Sequence, residues 1–230
     1  MEFIETDDGS LTLRHEVLGE LYHSDRGAVG EAEHIYIQAG FDRALADRDR
    51  KGIAVFDVGF GTGLNGWLTF CRANEAVVPL RVDYRTIELY PLCMDVVEKL
   101  NFTTEPSFKA LHSLQWDGKI HEMSEIFSVT KYRENLLSFD FSQLNKKFDV
   151  VYFDVFAPDA QPELWTEEIM GKMFSILRPG GVLVTYSSKG SVKQALRAVG
   201  FEVTRLPGAL GKRHMVRAVK HCMYGLSYGR

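Results

Sequence analysis

Cysteine is scarce in this chain: Cys71, Cys93 and Cys222 are odd in number, far apart and not at metal-ligand spacing. That excludes a disulfide-stapled scaffold and a zinc module, and reduced thiols in a cytoplasmic protein are the expectation. The seven histidines are scattered without ligand spacing, so no metal is expected. No apolar run is long enough to span a membrane, and Met1-Glu2-Phe3-Ile4-Glu5-Thr6-Asp7-Asp8 has neither a basic n-region nor an apolar h-region. Neither membrane insertion nor secretion is therefore expected. Repeats, low-complexity tracts and linkers are absent, so the 230 residues are read as one domain. Basic charge is short in the first 188 residues. Residues 189–230 hold nine Lys/Arg against one acid, Glu202, a net of +8, which leaves −12 on the remainder of a chain whose total is −4. Such a tail suits phosphate on one face, or is merely a solvated basic surface. The 45% hydrophobic and 25% charged content is that of an ordinary water-soluble globule.

What is present is an alternation of strand and helix patterns. Leu11–His15 alternates like a strand that Glu20–Tyr22 could pair with, and 31–46 has helical spacing of apolar residues. From Ile53 the order reads strand 53–58, helix 64–74, strand 81–89 and helix 92–100. Within 106–147 an inserted hairpin is expected, with a turn at Trp116-Asp117-Gly118 and a strand at 126–132. Phe148–Phe153 is a near-continuous apolar strand of the kind buried on both faces of a parallel sheet. Helix 165–177, strand 182–186, helix 191–199 and strands 201–206 and 214–219 complete the chain. This predicts an α/β fold, Rossmann-like and doubly wound, mostly parallel with an antiparallel edge. Residues 1–52 form an extension packed on a core of 53–230.

The chemistry concentrates in Ile53-Ala54-Val55-Phe56-Asp57-Val58-Gly59-Phe60-Gly61-Thr62-Gly63-Leu64-Asn65. A strand ends in an acid and enters a loop with glycine at every second position, where no Cβ blocks a nucleotide-like ligand. The spacing is not the G-x-G-x-x-G of a dinucleotide fold, and the Lys-Ser/Thr of a P-loop is missing. The leading acid suits a cationic or hydroxyl-bearing ligand better than a pyrophosphate. The loop is thus read as a site for S-adenosylmethionine, with an ordinary tight turn as the plain alternative. Further acids stand at or near strand ends. Glu88, 25 residues after Gly63, could accept hydrogen bonds from a ribose, and Asp140 before Phe141 suits an adenine amino group. Asp154, closing 148–153, could orient an amine nucleophile and take its proton. His23 and His34 stand at a possible substrate entrance or are plain surface residues.

Asp149-Val150-Val151-Tyr152-Phe153-Asp154-Val155-Phe156-Ala157-Pro158, followed by Asp159–Trp165, resembles the signature of MnmC-like methyltransferases. The resemblance extends to Tyr22-His23-Ser24, Gly27–Glu31, Gly59–Asn65, Glu88-Leu89-Tyr90-Pro91-Leu92, Thr185–Gly190 and Gly211-Lys212-Arg213-His214-Met215, roughly residues 10–218. It implies S-adenosylmethionine as cofactor, held around Asp57, Gly59, Phe60, Gly61, Thr62, Gly63, Asn65, Glu88, Leu89, Asp140 and Phe141, with Asp154 beside the reacting methyl. Phe156, Ala157 and Pro158 would shape a uridine pocket, with Glu31 and Lys189 on the substrate side, and Lys212 and Arg213 would meet tRNA phosphate. The acceptor implied is the aminomethyl group of 5-aminomethyl-(2-thio)uridine at the tRNA wobble position. Two-domain members carry a flavin-dependent oxidase as well, and these 230 residues hold none, so the free aminomethyl form would come from another enzyme. A small-molecule amine methyltransferase, an aminopropyltransferase-like enzyme and a non-enzymatic cofactor-binding module are the alternatives.

Overall fold

The computed structural model describes residues 1–46, 52–76, 80–211 and 214–221. Two short strands, β1 (Glu2–Glu5) and β2 (Leu11–Arg14), pair antiparallel outside the main sheet. A helix follows in three parts: α1 (Ala28–Ala32), a π-helical stretch over Glu33–Asp42, and α2 (Arg43–Leu45). The core then runs β3 (Gly52–Val58), α3 (Leu64–Glu75), β4 (Arg81–Ile87), α4 (Met94–Val97), α5 (Pro106–Ser113), β5 (Ile120–Ser124) and β6 (Phe127–Tyr132). It continues with β7 (Phe148–Phe153), α6 (Glu167–Ile176), β8 (Leu177–Thr185), α7 (Gly190–Ala198), β9 (Glu202–Pro207) and β10 (His214–Val219).

Eight strands form one sheet in the order β5-β6-β4-β3-β7-β8-β10-β9. The five from β6 to β8 are parallel, while β5, β10 and β9 join antiparallel at the two edges. The central strands β3 and β7 are buried almost throughout, which accounts for their unbroken apolar runs. Ala54, Phe56 and Val58 meet Ile169, Met170, Met173 and Val192 of α6 and α7 on one face. Ile53 and Val55 meet Ile37, Phe41, Leu64 and Leu68 of the first helix and α3 on the other. Helices thus cover both faces, and apolar burial at about 25 cal/mol per Å² holds the layers together. The chain leaves β3 toward β4 and β6, then returns to β7 and β8 on its other side. A crevice opens at such a reversal, beyond the carboxyl ends of β3 and β7.

Register sets the crevice's contents. Val58 lies opposite Ile87 of β4 and Phe153 of β7, so the next residues, Gly59, Glu88 and Asp154, emerge level with one another. Gly59 donates its N–H to the Ile87 carbonyl at 3.1 Å, and Asp154 donates to Val58 at 2.9 Å, carrying the alignment one residue past the strands.

Several elements differ from expectation. The strand at 126–132 is not part of an insertion: β6 is the third parallel strand, with β5 as its antiparallel companion. Helix α5 was not expected. It starts on Pro106 and buries only Phe108 and Leu111, too few positions to establish a helical period. The helix foreseen over 92–100 contracts to α4. The helix at 165–177 begins at Glu167, capped by Thr166, after a 3₁₀ turn at Pro162–Trp165. Leu11–Arg14 pairs with Glu2–Glu5, and the expected partner at 20–22 contributes one bridge, Arg14 to Leu21.

Candidate active site

The glycine loop follows β3 because each glycine occupies a place that a side chain could not. Gly59 has φ +90°, and a Cβ there would stand 2.4 Å from the Asp154 carbonyl oxygen. Gly63, at φ +72°, would set a Cβ 2.4 Å from His112 Nε2 where it caps α3. The loop is buttressed from behind. His112 donates Nε2–H to the Thr62 carbonyl at 3.0 Å. Burial, aided by the nearby Lys131 cation, pushes its pKa down to about 4, so the ring is neutral at neutral pH. Lys131 is fully buried, donates to the carbonyls of Leu111, His112 and Leu114, and lies 4.8 Å from the Phe60 ring and 4.7 Å from Trp116. Burial lowers its pKa to about 7.

In front of the loop is a cleft of about 910 Å³. Its floor is Asp154. Tyr36 donates its hydroxyl to Asp154 Oδ1 at 2.5 Å, and Asn65 donates Nδ2–H to Oδ2 at 2.8 Å. Glu88 accepts from the Gly61 N–H at 3.2 Å and, through its other oxygen, from the Tyr90 N–H at 2.9 Å. Glu31 is buried, accepts from the Ser24 N–H at 2.8 Å and lines the same cleft. Tyr22 is stacked over Gly61, with ring atoms 3.2 Å from where a Cβ would be. Burial, with the Glu88 charge adding, raises the Tyr22 phenol to about 12. Phe156 meets His15 and Tyr22 edge-on, both at 5.1 Å between ring centroids. Tyr186 donates to the Val155 carbonyl at 2.9 Å. Its phenol is pushed up by burial and then by the Asp154 charge.

The residues singled out from sequence divide into two groups. Gly59, Gly61, Glu31, Glu88, Leu89, Asp154, Phe156 and Ala157 line the cleft. Phe60, Thr62 and Asn65 line a small adjoining pocket with Tyr22, His23 and Asp154, and Gly63 shapes the turn into α3. His23 bonds Thr62 Oγ1 at 2.6 Å there, whereas His34 bonds the Pro207 carbonyl away from the cleft.

The rest are placed elsewhere. Asp57 is fully buried beneath the loop, accepting from Tyr84 at 2.6 Å and Thr86 at 3.1 Å. Burial raises its pKa well above the carboxylate range, against those two hydrogen bonds. Asp140 spends both oxygens on Ser142, as the cap of the 3₁₀ turn at Phe141–Leu144, and those bonds lower its pKa. Phe141 packs on Phe56 and Phe139 in the core. The stretch after β6 that does line the cleft is Glu134–Leu137, not the Asp140–Phe141 pair. Pro158 stays outside the lining, and Lys189 pairs with Asp159 at the surface. Lys212 and Arg213 lie outside the described residues. Sequence reasoning missed Tyr36, His15 and Leu136. For Tyr36 no sequence signal existed, because it sits within an apolar helical face.

The residues present fit S-adenosylmethionine. Asn65 Oδ1 is buried with no hydrogen-bond partner among the described residues, an acceptor that an ammonium group would satisfy. Glu88, Asp154 and Glu31 bring three carboxylates to a cleft suited to a cation, and the glycine backbone leaves the approach clear. No helix among the described residues is long and apolar enough to cross a membrane.

Comparison with known proteins agrees. Residues 120–221 match a family described as S-adenosyl-L-methionine-dependent methyltransferase. The tRNA 5-methylaminomethyl-2-thiouridine biosynthesis bifunctional protein MnmC of Azoarcus sp. (strain BH72) is 29% identical over 217 residues, covering 86% of this chain and 32% of that protein. The chain thus spans about a third of the length of the curated relatives it matches. The crystal structure of MnmC2 from Aquifex aeolicus superposes with a TM-score of 0.78 at 29% identity, over 95% of this chain and 70% of that one. Spermidine synthase from Thermotoga maritima, at 15% identity and a TM-score of 0.51 over 92% of this chain and 68% of that one, shares the fold alone. By sequence, topology and the make-up of its cleft, this chain is an S-adenosylmethionine-dependent methyltransferase domain similar to those of the MnmC proteins.

Proposed function

We propose that the domain methylates the primary amine of 5-aminomethyl-(2-thio)uridine in tRNA, in the cytoplasm where that tRNA resides. The observation that carries this reading is Asp154. Its carboxylate stands on the cleft floor against the glycine loop, with Tyr36 donating to one oxygen and Asn65 to the other. The relatives' names supply the substrate: MnmC is described as a tRNA 5-methylaminomethyl-2-thiouridine biosynthesis protein.

S-adenosylmethionine, when bound, supplies a methyl group made electrophilic by its sulfonium. What this chain's residues contribute is binding, orientation and proton handling. Glu88, at the end of β4, would hold the ribose hydroxyls, with Leu89 beside the base. Asn65 Oδ1 would accept from the amino-acid end. Asp154 would accept a hydrogen bond from the acceptor amine, aim its lone pair at the cofactor side and receive the proton shed as the nitrogen becomes secondary. Phe156 and Ala157 would wall the uracil ring, with Glu31 deeper in the cleft. Lys189, Lys212 and Arg213 would serve tRNA phosphate from the basic C-terminal segment.

A second reading is favoured by one feature. The cleft lining also includes Glu16, Glu20, Glu134 and Glu163, acids better matched to a small polyamine than to a polyanion. Replacement of Asp154 by asparagine tests the enzymatic core of both. Cofactor binding should persist while methyl transfer to tRNA fails, and undiminished transfer would remove Asp154 from the mechanism.

A further inference from the structure

The grip on Asp154 comes from an unusual place. Tyr36 lies within the π-helical stretch Glu33–Asp42, ten residues in a geometry that is rare at that length and concentrated at functional sites. The stretch lies close over the sheet: a Cβ on Gly40 would be 3.0 Å from Val184 and 3.2 Å from Tyr152. With the helix seated there, the Tyr36 ring is tilted against Tyr152 at 5.5 Å and its hydroxyl reaches the far side of the site. Tyr36 is 3% exposed yet lines the cleft, and its hydroxyl donates to Asp154. Burial, reinforced by the Asp154 charge, keeps the phenol far above its ordinary pKa, so it remains a donor at any working pH.

We propose that Tyr36 is a positioning residue for methyl transfer, one that fixes the rotamer of Asp154 and keeps it an ionised acceptor for the incoming amine. This rests on the assignment of Asp154 above. The hydroxyl holds Oδ1 and Asn65 holds Oδ2, so the two bonds together restrain the carboxylate at the cleft floor. A donor of this kind favours the charged form of its acceptor. Glu31, Tyr186 and Asp57 also bear on this corner: Glu31 and Tyr186 add to the rise of the Tyr36 phenol, and the Asp154 charge raises the Asp57 carboxyl and the Tyr186 phenol in turn. Tyr36 supplies the neutral hydrogen among these groups that stabilises the anion.

The test is Tyr36→Phe, which retains the ring. In the protein without cofactor, followed by carbon-13 NMR of the aspartate carboxyls, the Asp154 titration should move upward by about one pH unit. An unmoved titration overturns the proposal, whatever the acceptor is. In the transfer assay, kcat should fall about ten- to a hundredfold, with KM for the acceptor and affinity for S-adenosylhomocysteine near wild type. Unchanged kcat overturns it. Adding Tyr36→Phe to Asp154→Asn should cost nothing more, since both act on one carboxylate. Additive losses would place Tyr36 in another role and refute the coupling. If Asp154→Asn alone leaves turnover intact, the assignment of Asp154 fails first, a result separable from failure of Tyr36→Phe in an enzyme that needs Asp154.

Discussion

Replacing Gly59 by alanine should damage stability and cofactor binding together, because one backbone contact serves both. The added Cβ would lie 2.4 Å from the Asp154 carbonyl oxygen and 3.0 Å from its carbonyl carbon, both main-chain atoms with no rotamer to yield. The φ of +90° adds left-handed strain of roughly 1 kcal/mol for a non-glycine residue. Overpacking of this kind costs about 1–3 kcal/mol more. A total of about 2–4 kcal/mol corresponds to a fall in melting midpoint of roughly 4–16 °C for a domain of this size. Relief of the clash can come only by separating the glycine loop from the end of β7, which pulls Asp154 away from Asn65. Affinity for S-adenosylhomocysteine should therefore drop as well. Scanning calorimetry with and without that ligand reads both effects. Gly190→Ala is the control: it opens α7 with nothing within 4 Å of its Cβ, so no change is expected. A Gly59→Ala protein that melts and binds like the parent would refute the packing of loop against strand end on which the site depends.

Glu88→Ala should weaken cofactor affinity about 10–100-fold, the value of a hydrogen-bonded charged group, as read by titration calorimetry. Undiminished affinity would remove Glu88 from the ribose. His112 links stability to acid. Its pKa falls from 6.5 unfolded to about 4 folded, so the unfolded chain binds the extra proton in between, and stability present above pH 6.5 is lost as pH falls toward 4. The loss should reach about 3 kcal/mol. His112→Gln, which retains a donor for Thr62, should flatten that part of the denaturation profile, and an unaltered slope would assign the acid sensitivity elsewhere.

How much of this was legible beforehand depended on whether the deciding contacts were local. β3 and β7 were readable because burial on both faces leaves an unbroken apolar run, and the glycine loop because positive φ demands glycine. Glu88 and Asp154 could be placed at strand ends, and the parallel register then made them neighbours. Asp140 is hard to read because a strand-proximal acid looks alike whether it faces a ligand or caps a turn, and the sequence does not show its side-chain bonds to Ser142. Asp57 is one residue inside the strand and points to Tyr84, which the alternation of side chains settles only once the sheet's faces are known. β6 looked like part of an insertion because the intervening α5 gave no period and its companion β5 is half exposed. Tyr36 was invisible. A π-helical stretch breaks the 3.6-residue period from which facing is inferred, and the bond to Asp154 spans 118 positions.

The central claim, an amine methylated on tRNA at Asp154, is tested most directly by supplying labelled S-adenosylmethionine and tRNA from cells that lack this activity, then resolving the product nucleosides. The account predicts label in 5-methylaminomethyluridine or its 2-thio form, abolished by Asp154→Asn. No label in tRNA from a protein that demonstrably binds the cofactor, with transfer instead to a small amine, would contradict it.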